Sequence, residues 1–346
     1  MNNFIQIKDR KIGLDYPPVV IVELGINHGG SLKTAFEMVD AAKEAGAEII
    51  KHQTHIAEDE MSKHAKKIIP HNCDKSIYDI INECSLSEED EIKLKKYVES
   101  KKMIFISTPF SRKAVDRLEK MNVPAYKIGS GECNNYALIE YIASFRKPVI
   151  LSTGMNNIKN ISKSVNILRK NNIPFALLHC TSVYPTPPEL VRLNAMIELK
   201  LKFQDAVIGL SDHTLTNYPC LGAIALGASI IERHFTDHKK RKGPDIMCSM
   251  DKKELRELIK GSNILYKCRN GNKNILKEEQ PTIDFAYASV ITIKNIKKGD
   301  IFTKENLWVK RPGTGEIKSE KFKNILGKRS KFNLENDIQL KWSDII

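Results

Sequence analysis

The sequence predicts an α/β fold: a (β/α)8 barrel of the TIM type followed by a small, mostly-β domain. Three observations carry this prediction. Eight short apolar or β-branched runs precede residue 240, and most are near-continuous, as expected for strands covered on both faces. Helix-like segments with a 3.6-residue apolar period separate them. Each run also ends in polar groups able to do chemistry. One shared mouth at the carboxyl ends of barrel strands accounts for that better than eight separate accidents.

In chain order the runs are VVIVELGIN from Val19, EIIKHQT from Glu48, MIFISTP from Met103, AYKIGSG from Ala125, VILSTGM from Val149, FALLHCTS from Phe175, AVIGLSDH from Ala206 and SIIERHF from Ser229. The first helical segment, SLKTAFEMVDAAKEAGA, has Ser31 in N-cap position and Gly46 in C-cap position. SRKAVDRLEKMN and NISKSVNILRKNN follow the same logic. Only the connection over residues 56–102 is long, holding a loop around Pro70 and a helix, SEEDEIKLKKYVESK. KKELRELIKGSNILYK, after Asp251, closes the barrel. The polar stretch over residues 269–282 reads as a linker. From Ile283 the chain is dense in strand formers, glycines and turns, and its length is near the lower limit for independent stability. The expected division is residues 1–272 for the barrel, 273–282 for the linker and 283–346 for the small domain.

The totals narrow the function classes. An apolar fraction of 41% over 346 residues supports a real core. No apolar run approaches the ~20 residues of a membrane helix, and the N-terminus has no secretory h-region. Seven scattered cysteines without a CxxC pair suit reduced thiols in a cytoplasm rather than disulfides or a structural zinc site. The net charge of +13 is spread along helical stretches without interleaved aromatics, which argues against nucleic-acid binding.

The strand ends supply the chemistry. They are Glu23 and Asn27; Lys51 and Gln53; Ser107 and Thr108; Lys127, Ser130 and Glu132; Ser152 and Thr153; His179 and Ser182; Ser211 and His213; Glu232 and His234. His213 and His234 end consecutive runs. If those are parallel neighbours, both rings face one pocket and can share a divalent metal. Lys51, Lys127, Ser130, Ser152 and Ser211 give two ammonium groups and three hydroxyls, a set suited to a phosphate and a carboxylate. An apolar strand should not bury a lysine unpaired. Glu23, Glu132 and Asp245 add carboxylates for acid–base work or for orienting the lysines. Glu132 directly follows the Gly129–Ser130–Gly131 turn, and Asp245 follows the eighth run near His234.

With these residues in place, the chain resembles the bacterial N-acetylneuraminate (sialic acid) synthases. The words that carry the likeness are ELGINHGGS, IIKHQTHIAEDEMS, STPFSR, YKIGSGECNN, STGM, YPTPPELVRLNAM, GLSDHT, ERHFTD and GPDIMCSMD, in order over nearly the whole chain. The tail from Ile296 resembles the antifreeze-like (SAF) domain that follows the barrel in these enzymes. The resemblance implies condensation of phosphoenolpyruvate with N-acetylmannosamine and water, giving N-acetylneuraminate and phosphate with C–O cleavage. It implies His213 and His234 as ligands of manganese, with magnesium or cobalt as alternatives. It implies Lys51, Thr108, Lys127, Ser130, Ser152 and Ser211 as the phosphoenolpyruvate cradle. Glu23, Gln53, Asn72, Tyr184 and Asp245 match groups around the sugar and metal, and Glu132 matches a carboxylate proposed as acid or base. Ser182 stands where related synthases often carry Asn. Arg311, in KRPG, matches an arginine that reaches the partner subunit's site, which implies a domain-swapped homodimer. A sister synthase making legionaminate or pseudaminate from a different deoxy-sugar would share the fold and the chemistry and differ only in the sugar pocket. A metal-dependent barrel hydrolase is the remoter alternative; it would need a further ligand pair at the first strand, where Glu23 and Asn27 stand instead.

Overall fold

A strand buried on both faces alternates its side chains, one into the barrel and the next out toward the helices. That period of two organises the first of two units, residues 1–270 and 271–346, in a computed structural model that describes residues 4–69 and 74–346. Eight parallel strands close into a barrel. They are β3 (Val19–Gly25), β4 (Ile49–Thr54), β5 (Ile104–Pro109), β6 (Tyr126–Ile128), β7 (Val149–Ser152), β8 (Phe175–Cys180), β9 (Val207–Asp212) and β10 (Ile230–His234), and β10 returns to pair with β3. Two strands precede them. β1 (Phe4–Ile7) and β2 (Arg10–Gly13) form an antiparallel hairpin that the sequence reading did not anticipate. Its Ile5, Ile7 and Ile12 pack with Ile21, Ile49, Ile106, Ile150 and Ile230, so the hairpin closes the floor of the barrel.

Above that floor the inward positions turn polar: Ile21 gives way to Glu23, Ile49 to Lys51, Ile150 to Ser152 and Ile230 to Glu232. The outward positions, such as Val20, Val22, Ile50 and Phe105, bury into the helix layer. That layer comprises α1 (Leu32–Ala45), α2 (Ala57–Glu60), α3 (Ile77–Cys84), α4 (Glu88–Ser100), α5 (Arg112–Lys120), α6 (Tyr136–Ala143), α7 (Ile158–Lys170), α8 (Leu193–Lys202), α9 (Tyr218–Ala225) and α10 (Lys252–Cys268). The expected caps are present on α1: Ser31 accepts from Thr34 N, and Gly46 sits at φ 98°, a left-handed conformation that favours glycine. Asp251 opens α10 with a capping box completed by Glu254. Among the described residues no helix is long and apolar enough to cross a membrane.

The second unit has its own core of Val290, Ile296, Phe302, Leu307, Ile317, Ile325 and Leu340. Its strands β11 (Ser289–Thr292) and β12 (Leu307–Lys310) pair antiparallel, and single bridges tie in the turns around them. The stretch expected as a linker carries structure: a 3-10 turn at Lys277–Glu279 leads into α11 (Gln280–Ala286). Pro281 stands in its first turn, where a fixed φ and a missing N–H cost nothing. A last short helix, α12 (Phe322–Ile325), buries Ile325.

Candidate active site at the barrel mouth

Glu23, Lys51, Lys127 and Glu232 are inward, buried residues at the tops of β3, β4, β6 and β10. Lys51 Nζ lies 2.7 Å from Glu23 Oε2 and 3.6 Å from Glu232 Oε1, and donates to Thr108 Oγ1 at 3.4 Å. Lys127 Nζ donates to Ser152 Oγ at 2.8 Å and lies 3.5 Å from the same Glu232 oxygen. Ser211 Oγ donates to that oxygen at 3.0 Å. Glu232 therefore joins three members of the expected cradle. The sequence reading named it only as a strand end and gave it no role. The signal was present: it stands two residues before His234 on one strand, so both face inward.

These charges tune one another. Burial alone would lower the Lys51 pKa, but the carboxylates of Glu23 and Glu232 outweigh it and raise the value. Burial prevails at Lys127, whose pKa is lowered despite Glu232. Burial would raise Glu232, yet Lys127 and Lys51 hold it well below the usual carboxylate range. Ser130, also expected in the cradle, accepts from Gly154 N through its Oγ at 3.0 Å. A Cβ at Gly154 would fall 2.5 Å from Ser182 Oγ and 2.8 Å from Ser130 Oγ, so only glycine lets these hydroxyls converge.

His213 and His234 share the mouth, with ring centroids 5.5 Å apart. Burial lowers the pKa of both, favouring neutral imidazoles. His213 Nδ1 donates to Thr181 O at 3.0 Å, which leaves Nε2 with a free lone pair. His234 Nδ1 is buried without a hydrogen-bond partner, 3.6 Å from Asp245 Oδ2. Gly25 (φ +53°) gives it room, since a Cβ there would lie 3.1 Å away. The Tyr184 ring lies 4.0 Å from the His213 ring. Two neutral imidazoles with a nearby carboxylate fit a divalent cation. Among the described residues no group of three or more His, Cys, Asp or Glu is arranged to hold one unaided, so further ligands would come from substrate or solvent.

Arg233, between Glu232 and His234, points outward and is almost fully buried. It donates to Asn217 Oδ1 at 2.7 Å and to Thr214 O at 2.5 Å, with Asp212 Oδ2 at 3.4 Å. It thereby pins the loop that carries His213. The other expected residues are placed as follows. Glu132 is half-buried beyond β6; its carboxylate accepts from Asn135, and burial followed by the charge of Glu60 raises its pKa. Gln53 belongs to the mouth through its bond to Glu23, Asp245 through its approach to His234. Arg311 lies on the second unit, exposed, directly after β12. Asn72 lies outside the described residues.

Comparison with known proteins places this geometry in a family. The profile of the NeuB family matches residues 38–274, and that of the SAF domain matches residues 287–346. The chain is 36% identical to the N,N'-diacetyllegionaminic acid synthase of Campylobacter jejuni, over 92% of this chain and 97% of that one. It is 31% identical to the N-acetylneuraminate-9-phosphate synthase of Homo sapiens, over 95% and 92%. The crystal structure of the N-acetylneuraminic acid synthetase of Leptospira borgpetersenii in complex with citrate superposes with a TM-score of 0.75, at 32% identity, over 82% of this chain and 96% of that one.

Proposed function

The chain belongs to the NeuB family of nonulosonate synthases, and we propose that it condenses phosphoenolpyruvate with the open-chain aldehyde of N-acetylmannosamine and water to give N-acetylneuraminate and phosphate. The observation that carries this reading is the presence, in one barrel mouth, of two buried lysines flanked by hydroxyls beside two imidazoles whose pKa values burial lowers. Lys51, Thr108, Lys127, Ser130, Ser152 and Ser211 bind and orient the enol phosphate; charge comes from the lysines and direction from the hydroxyls. His213 and His234 would hold a divalent cation, manganese first and magnesium or cobalt as alternatives, which supplies Lewis-acid polarisation of the sugar's carbonyl oxygen. Gln53, Ser182, Tyr184 and Asp245 face the sugar, and Asn72 is assigned to the same group from the family resemblance alone.

In this reading the methylene carbon of phosphoenolpyruvate bonds to the aldehyde carbon, and positive charge develops at the former enol carbon. Water adds there, and phosphate leaves by C–O cleavage with the bridging oxygen. Glu132 accepts the water's proton, since a carboxylate with a raised pKa is a better base near neutrality; the second water proton is lost as the new carbonyl forms, and the two protons end on the former aldehyde oxygen and on the departing phosphate. Glu23 holds Lys51 in place. The reading includes a homodimer in which Arg311 of each chain serves the other copy's site.

A second sugar has an observation in its favour. The relative at 36% identity is named a diacetyllegionaminic acid synthase, so a 2,4-diacetamido sugar is the alternative substrate. Phosphate release from phosphoenolpyruvate, measured with each sugar in turn and with manganese or chelator, tests both. Release dependent on one sugar and on the cation is expected. No release with either sugar would end the synthase reading for this chain.

A further inference from the structure

We propose that His55 and Glu60 are positioning residues that act through Gln53 to hold the Glu23 carboxylate in one orientation against Lys51. The motivation is an unbroken line of hydrogen bonds. Gln53 Nε2 donates to Glu23 Oε1 at 2.7 Å, while the other Glu23 oxygen faces Lys51 at 2.7 Å. Gln53 Oε1 lies 3.0 Å from His55 Nε2, and His55 Nδ1 lies 2.8 Å from Glu60 Oε2. His55 is buried and stacked on Phe110, with centroids 4.2 Å apart and planes 12° apart, so its ring cannot turn freely.

The polarity of this line is fixed by chemistry. A carboxylate only accepts, so the amide must turn its N–H toward Glu23. Its carbonyl then faces His55 Nε2, which must carry a hydrogen. One further proton lies between His55 Nδ1 and Glu60 Oε2. Reversing the Gln53 amide would set its carbonyl against the Glu23 carboxylate and its NH2 group against a protonated ring nitrogen, so both neighbours of the amide hold it in one orientation. The local sequence builds it. Period two points Lys51 and Gln53 inward from β4 while His52 and Thr54 point out. The chain then turns at His55, and α2 is a single turn that carries Glu60 back to the imidazole. This arrangement gives His55 and Glu60, in KHQTHIAEDE, a role apart from the substrate contacts of Lys51 and Gln53.

The proposal rests on the synthase reading for its kinetic consequence but not for its direct test. His55→Phe keeps a ring against Phe110 and removes both nitrogens. Glu60→Ala cuts the line at its outer end, and Glu60→Gln keeps a group able to donate to Nδ1. Under the synthase reading, His55→Phe should lower kcat by roughly tenfold to a hundredfold with a smaller rise in KM for phosphoenolpyruvate, because Lys51 loses its fixed carboxylate while Lys127 and the hydroxyls of the cradle keep their contacts. Glu60→Ala should follow it in direction, and Glu60→Gln should restore most of the rate. The side-chain amide resonances of Gln53, identified through Gln53→Ala, should shift in His55→Phe and Glu60→Ala and stay in place in Glu60→Gln. That spectrum needs no turnover, so its failure is distinct from a failure of the synthase assay on the unaltered protein. Unmoved Gln53 resonances in both disruptive variants, or an unchanged kcat with a raised KM, would overturn the proposal.

Discussion

Glu232 is the residue on which the mouth's electrostatics turn. Lys51 and Lys127 are 4% and 1% exposed, and such burial is tolerable only with anionic partners. Glu232 gives one oxygen to both lysines and to Ser211. Replacing it with Gln leaves Lys51 its contact with Glu23 and leaves Lys127 without a paired carboxylate among the described residues. Removing one member of a buried ion pair costs roughly 3–5 kcal/mol, so Glu232→Gln should lower the melting temperature clearly. The cradle would then be more cationic than before, and an anion should replace the missing charge. Millimolar inorganic phosphate is therefore expected to raise the melting temperature of Glu232→Gln more than that of the unaltered protein. Equal shifts in the two proteins, read by calorimetry, would show that Glu232 is not the partner of these lysines. The sequence made the lysines legible, because an ammonium within an apolar strand demands explanation. It hid Glu232, because a lone glutamate at a strand end has several ordinary uses.

At the level of strands and helices, the same alternation that builds the mouth sends histidines outward. His52 faces the helix layer, where its ring stacks on His28 with centroids 5.3 Å apart. Burial, then the nearby His55, lowers the His28 pKa to about 4; burial, then His28, lowers that of His52 as well. The ordinary histidine value is 6.5, so between pH 6.5 and 4 the unfolded chain binds protons that the native barrel refuses. Stability is then fully present above pH 6.5 and lost as the pH falls, by about 3 kcal/mol at pH 4 from His28 alone. Urea midpoints should fall between pH 7.5 and 4.5, and His52→Phe should flatten that slope; a slope unchanged in the variant would remove His52 from the account. Which runs are strands was readable from their near-continuous apolar character, and the caps at Ser31 and Gly46 from residue type alone. The floor hairpin was not. FIQI, with Phe4 and Gln6 exposed, and RKIG, with only Lys11 fully exposed, are four-residue strands, a pattern too short to register as a period. The helical turns after Lys277 escaped for a similar reason, since polar residues and a proline resemble a linker until Pro281 is placed in a first turn.

For the molecule as a whole, the division into two units leaves Arg311 in question. It sits on the small unit, whose core is separate from the barrel's, and it makes no hydrogen bond or ion pair among the described residues. An exposed guanidinium after a short strand has no stabilising task there, which suits a residue kept for recognition at another surface. In the homodimer proposed above, each active site takes its barrel from one chain and Arg311 from the other. Such a site can be rebuilt from two broken chains. An Arg311→Ala chain keeps a sound barrel, and a His213→Ala chain keeps a sound arginine. Random pairing of equal amounts makes about half of the dimers mixed, each with one complete site, so activity should recover to about a quarter of the unaltered level from two nearly inactive parents. If Arg311 served its own barrel, the mixed dimers would contain no complete site. Their separation by differently tagged chains, followed by the phosphate-release assay, decides between these arrangements. Mixed dimers no more active than either parent would leave Arg311 without a role across subunits.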